Sequence, residues 1–212
     1  MPHHYYKEIV LELRQDVYEP REDSELLAEA VEKELAFARR TIGNGAIPFP
    51  RHALGDGAIS FLDLGCGSGL IAIAAAKAGA NAVAVDIDER AVELARKNAK
   101  LNGVNIECLR SDLLGSVRGK FEIIAFNAPY LPEAVAKGNE AWAGGQELEV
   151  IRKAIEQVKT RLMPGGVFLI AISSLTGMGK VGKLLESNGF SWQIIAERKV
   201  PWENLLVLRA VL

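Results

Sequence analysis

The 212 residues are 49% apolar, 25% charged and 7% aromatic, with 25 basic against 27 acidic side chains and a formal charge of −2, which describes one soluble domain able to bury its own core. Two cysteines, Cys66 and Cys108, are too few for a disulfide scaffold or a tetrahedral zinc site, and the longest apolar run, residues 70–76, is far short of the ~20 residues of a bilayer span. Residues 1–12 lack the basic start and apolar run of a signal peptide, and a pI near 6.0 argues against the basic stripe that binds long nucleic acids, so a reducing, cytoplasmic setting is expected.

Along the chain, an amphipathic helix is predicted over 22–40, with Leu26, Leu27, Ala30, Val31 and Leu35 facing inward and Asp23 or Ser24 as its cap. Residues 41–58 contain Gly43, Gly45, Gly55, Gly57, Pro48 and Pro50 and read as a long irregular loop. From residue 59, apolar runs alternate with helical patterns, the mark of repeated βα units on a mostly parallel sheet. Strands are predicted at 59–64, 82–87, 106–109, 122–126 and 167–173, and helices at 70–78, 89–101 and 147–162. The last two strands, 192–200 and 205–212, are joined too tightly for a parallel crossover and should form an antiparallel hairpin. The expected architecture is α/β, with residues 1–58 as an N-terminal extension packed on a core of 59–212 within one structural domain.

The first βα turn, Phe61-Leu-Asp-Leu-Gly-Cys-Gly-Ser-Gly-Leu70, places Gly65, Gly67 and Gly69 at the carboxyl edge of the sheet, where open α/β folds bind ligands. A tight turn without a ligand is the alternative. Asp86 ends the second strand 21 positions after Gly65, where a carboxylate accepts from ribose hydroxyls, while Asp88 is better placed to cap the next helix. Asp112, followed by Leu113, either takes an exocyclic adenine amine or makes a turn. Asp63 is the discriminator: it would repel the pyrophosphate of NAD or ATP but favour an amino group and a sulfonium. The turn lacks a third glycine in the G-x-G-x-x-G register and no G-x-x-x-x-G-K-[ST] is present, so S-adenosylmethionine is the expected cofactor, held by Asp63, Gly65, Cys66, Gly67, Gly69, Asp86, Ile87, Asp112 and Leu113. Cys66 is taken as a small loop residue. This order of motifs over 59–212 resembles the class I S-adenosylmethionine-dependent methyltransferases, which implies a Rossmann-like, seven-stranded mixed sheet with the last strand antiparallel and helices on both faces.

After the fourth strand comes Phe126-Asn127-Ala128-Pro129-Tyr130-Leu131-Pro132. A planar amide or aromatic amine has a delocalised lone pair and must be oriented before it can be methylated; the Asn127 side-chain oxygen and a neighbouring carbonyl can accept its two hydrogens. Pro129 holds Ala128 extended and presents the Ala128 carbonyl, while Tyr130 can stack on the flat group. A strand-ending turn stiffened by proline is the alternative. His3, His4 and His52 fall outside the core and read as solvated. The segment resembles the Asn-Pro-Pro-Tyr motif of amino-group methyltransferases, with Ala128 in place of the first proline.

Together with Val17-Tyr-Glu-Pro-Arg-Glu-Asp-Ser24 and Ala141-Trp-Ala-Gly-Gly145, these motifs resemble the HemK/PrmC-like group, in its archaeal and eukaryotic branch of release-factor glutamine methyltransferases. The resemblance implies methylation of the glutamine amide in the Gly-Gly-Gln motif of a peptide-chain release factor. It further implies that Tyr18, Glu19, Pro20 and Asp23 close over the cofactor, that Asn127 touches cofactor and substrate, and that Trp142, with Gly144 and Gly145, shapes the substrate entrance. Relatives often need a small zinc-binding activator subunit that pairs along the third strand, where Ile106 and Cys108 alternate with Asn105 and Glu107. Rival expectations are an adenine or guanine amino group of RNA or DNA, a protein lysine, or a non-catalytic cofactor-binding scaffold; no metal site is expected.

Overall fold

Because side chains alternate along each strand, the sheet sorts its apolar residues into two layers, and the helices cover both. The computed structural model describes residues 2–43, 58–129 and 148–212. A hairpin of β1 (His3–Tyr6) and β2 (Ile9–Glu12) precedes α1 (Glu22–Gly43). There follow β3 (Ser60–Leu64), α2 (Leu70–Lys77), β4 (Asn81–Asp86), α3 (Glu89–Leu101), β5 (Glu107–Arg110) and β6 (Phe121–Asn127). The chain continues through α4 (Glu149–Arg161), β7 (Leu162–Ser173), α5 (Met178–Ser187), β8 (Ser191–Val200) and β9 (Glu203–Val211).

The seven-stranded sheet runs β5-β4-β3-β6-β7-β9-β8 and is parallel except for β9, which is antiparallel to both neighbours. Phe61, Ala84, Ile123, Ala125 and Leu169 face the layer of α1, α2 and α3. Leu62, Leu64, Ile124, Phe126 and Phe168 face α4 and α5. Among the described residues no helix is long and apolar enough to cross a membrane.

Four features depart from the sequence expectation. Two short strands stand at 3–12, where Lys7 takes the turn at φ 51. Helix α5 was not anticipated, because Gly179 and Gly182 thin out its apolar pattern; Gly182 is needed there, since a Cβ would lie 2.4 Å from the Trp192 ring. Residues 41–43, expected as loop, extend α1. His4 is not solvated: it sits on β1 with its Nε2 buried and 3.4 Å from Glu25. His52 lies outside the described residues.

The hairpin is fastened to α3 by two asparagines one turn apart. Asn102 accepts from Val10 N at 3.0 Å and donates to Val10 O at 2.7 Å. Asn98 accepts from Glu12 N at 2.9 Å and donates to Glu12 O at 3.2 Å and to Ser68 O at 2.9 Å. Two side-chain amides thus replace the missing neighbour of an edge strand. Asn98→Ala strands buried groups on both β2 and the glycine turn, and a loss of roughly 2–4 kcal/mol is expected, read as a lower urea midpoint at unchanged slope.

Candidate active site

Strand order turns round between β3 and β6, and such a switch leaves a crevice at the carboxyl ends of the strands. A cavity of about 370 Å³ lies there. Its floor is the strand ends Leu64, Val85, Asp86, Phe126 and Asn127; its walls are the 65–68 turn and the 111–113 segment; Asp16, Val17, Tyr18, Pro20, Asp23 and Ser24 close it from the N-terminal side.

Gly65 and Gly67 line the cavity with φ of 69° and 51°, a region that favours glycine. Cys66 N donates to Val85 O at 2.9 Å, and Gly67 N donates to Asp86 Oδ2 at 2.9 Å. Asp86 Oδ1 accepts from Asp88 N at 3.0 Å, so one carboxylate fixes the glycine turn against the start of α3; burial nevertheless pushes its pKa above the ordinary value. Asp88 caps α3 by accepting from Arg90 N at 2.9 Å. Burial also pushes the Cys66 thiol up, which suits a neutral loop residue.

Three residues expected at the cofactor do not line the cavity. Glu19 is exposed. Gly69 begins α2 and lets it approach α3, where an added Cβ would meet Ala95 at 3.0 Å. Asp63 shares the parity of Phe61 and is buried beneath the turn, with Oδ2 accepting from Ala72 N at 3.0 Å. It caps α2, whose N-cap glycine has no side chain to do so. Cys66, Ile87, Asp112 and Leu113 do line the cavity, as do Tyr18, Pro20 and Asp23.

At the end of β6, Asn127 Nδ2 donates to Asp23 Oδ2 and Ser24 Oγ, both at 3.1 Å, while its Oδ1 is buried without a partner among the described residues. Asp23 is not at the N-cap position, although its Oδ1 accepts from the first-turn Ser24 N at 2.6 Å. Helix α1 already starts at Glu22, and the Asp23 carboxylate turns to the site, receiving Tyr18 OH at 2.9 Å. Ala128 and Pro129 line the cavity beside Asn127; Tyr130, Trp142, Gly144 and Gly145 lie outside the described residues. Ser24, Ser111 and Lys153 also reach the cavity and were missed as site residues. Lys153 carried no signal, because its place on the site side of α4 depends on how that helix docks.

Five aspartates, 16, 23, 86, 88 and 112, line the cavity against one lysine, Lys153. Arg90 sits outside it and offsets Asp16 and Asp88 at 3.0 and 2.8 Å. The remaining balance is negative, which attracts a cation and repels phosphate. No cluster suited to a metal occurs among the described residues.

The family model described as "Methyltransferase small domain" matches residues 31–199. The chain belongs to that family. It is 43% identical over 134 residues to a Methanocaldococcus jannaschii protein provisionally named a protein N5-glutamine methyltransferase, a match over 60% of this chain and 68% of the relative. It is 32% identical over 99 residues to the release factor glutamine methyltransferase of Deinococcus radiodurans, over 42% of this chain but only 36% of that longer protein. The solved E. cuniculi Mtq2–Trm112 complex, described as responsible for methylation of the eRF1 translation termination factor, superposes with a TM-score of 0.67 at 25% identity, over 93% of this chain and 99% of that one.

In this methyltransferase the capping role of Asp63 leaves Oδ1 buried without a partner among the described residues, and burial, opposed by the Ala72 N–H and reinforced by the Asp86 charge, pushes its pKa up to about 7. A carboxyl raised in the folded state from an ordinary value near 3.8 stabilises the fold fully below that value, and the contribution is lost as pH rises to about 7. The stability of the wild type relative to Asp63→Asn should therefore fall between about pH 4 and 7 and level off above, measured by denaturant unfolding without ligand. A flat difference would show that Asp63 titrates normally.

Proposed function

We propose that this methyltransferase transfers a methyl group from S-adenosylmethionine to the glutamine side-chain amide of the Gly-Gly-Gln motif of a peptide-chain release factor, giving N5-methylglutamine. One observation carries the reading: a buried acceptor, Asn127 Oδ1, stands without a partner at the cavity floor while the other end of the same amide is tied back. An acceptor left open in this way calls for a donor, and a primary amide supplies one. The names of the M. jannaschii, D. radiodurans and E. cuniculi proteins support the same substrate.

The residues present fit the cofactor. The acidic cavity suits a sulfonium and disfavours a pyrophosphate. Asp86 would face the ribose, Asp112 and Leu113 the adenine, and the 65–67 turn the amino-acid part, with Tyr18, Pro20 and Asp23 closing over it. When bound, S-adenosylmethionine supplies an electrophilic methyl carbon. The protein's part is orientation: Asn127 Oδ1 and the Ala128 carbonyl accept the two amide hydrogens, and these contacts strengthen as the nitrogen gains its methyl group and the hydrogens become more acidic. No histidine is needed as a base.

A small zinc-binding activator subunit fits at β5, which is an edge strand of the sheet and offers unpaired backbone for strand addition. Its zinc would belong to the partner. Such a substrate and such a partner place the enzyme in the cytoplasm.

With labelled S-adenosylmethionine and a release factor, with and without the activator, label should enter the Gly-Gly-Gln protein and be absent from a Gly-Gly-Ala control. Asn127→Ala should cut turnover about 100-fold while calorimetry shows cofactor affinity changed by only about threefold. Label surviving in the Gly-Gly-Ala control would move the acceptor to another residue.

A further inference from the structure

We infer that Asp23 is a positioning residue that fixes which end of the Asn127 amide faces the acceptor, and that it thereby makes the site selective for an NH2 group over a carboxylate. The inference rests on the glutamine reading above and adds the device that enforces it. An asparagine side chain is nearly symmetric in shape, and its neighbours decide which end carries the donor.

Among the described residues, the hydrogen bonds facing the Asn127 amide fix its orientation. Tyr18 OH donates to Asp23 Oδ2 at 2.9 Å; Ser24 N and Ser24 Oγ donate to Asp23 Oδ1 at 2.6 and 3.2 Å. With its own hydrogen engaged on Asp23, Ser24 Oγ faces Asn127 as an acceptor. A carboxylate has no hydrogen to give. Both oxygens facing Asn127, Asp23 Oδ2 and Ser24 Oγ at 3.1 Å, therefore require Nδ2 on that side, and Oδ1 is forced toward the substrate. The flipped amide would set its oxygen 3.1 Å from a carboxylate oxygen and aim a donor at the acceptor group, an arrangement suited to a glutamate side chain rather than a glutamine.

Asp23 stands on the first turn of α1 and Tyr18 on the segment before it, so the N-terminal segment that lines the cavity also sets this polarity.

The test compares wild type, Asp23→Asn, Asn127→Ala and the double variant. In a 1H–15N spectrum the Asn127 side-chain NH2, identified by its loss in Asn127→Ala, should sit away from exposed amides in the wild type and move toward them in Asp23→Asn. Turnover on the release factor should fall about 10- to 100-fold in Asp23→Asn, and the double variant should be no slower than Asn127→Ala alone. An unmoved NH2 signal, or losses that multiply in the double variant, would overturn the assignment. If Asp23→Asn does not fold, Ser24→Ala removes one of the two acceptors, and its NH2 signal must move in the same direction. A wild type inactive on the release factor sinks the substrate reading alone, since the NH2 signal still decides the role of Asp23.

Discussion

The register between β3 and β6 is the constraint on which the site depends. Leu64 lies opposite Phe126, so Gly65, the first residue beyond β3, comes beside Asn127, the last residue of β6. One strand feeds the glycine turn and the other feeds the Asn127–Pro129 segment, and both line the cavity. Strand order runs outward from this pair in both directions, so the connecting helices fall on opposite faces and leave the carboxyl ends of both strands uncovered. A slip of one residue would exchange the parity of every side chain on β6, moving Phe126 out of its layer and Asn127 away from Asp23.

The N-terminal segment roofs this gap and is held at two separate points. On one side Asn98 and Asn102 grip β2, and Asn98 also reaches the Ser68 carbonyl of the glycine turn. On the other, Asp23 and Ser24 grip Asn127. The stretch between them supplies Asp16, Val17, Tyr18 and Pro20 to the cavity. These ties are polar, and they add to the apolar packing of Tyr6, Ile9 and Leu11 in the layer of α1 and α2.

Much of the fold was legible because its physics is local. Continuous Val, Ile and Phe runs marked the central strands, and the apolar stripes of 89–101 and 147–162 located α3 and α4 to within a few residues. The tight 201–204 connection was enough to reverse β9. The hairpin at 3–12 escaped because the polar residues His3, His4, Lys7 and Glu8 interrupt its apolar alternation, and His4 and Lys7 turn to Glu25 and Glu32 of α1. Asp63 shows the opposite failure. Its sequence position beside the glycine turn suggested contact with the cofactor, yet the same alternation that puts Phe61 in the α1–α2 layer puts Asp63 there too. Parity along the strand outweighed proximity along the chain. Asp23 was legible as important but not as what it is, since a carboxylate at a helix start looks like a cap until the partner 104 residues away is in place.

The two halves of the cavity divide recognition by charge and by hydrogen-bond polarity. Asp86 accepts from Gly67 N and Asp88 N with one lone pair of each oxygen, and Asp16 and Asp88 are offset by Arg90, so the aspartates shape one half of the cavity while leaving it net negative. The other half is built around Asn127. Asn127 presents a neutral oxygen, backed by a carboxylate that faces its other end. A bare carboxylate in place of Asn127 would bind an amide hydrogen more strongly but would bind a lysine ammonium better still, and the cationic form has no lone pair to alkylate. A neutral acceptor polarised from behind favours a neutral NH2 whose nitrogen is poorly nucleophilic, and it does so without adding a second negative charge beside Asp23. That arrangement explains why the site contains many aspartates and yet meets its acceptor through an asparagine.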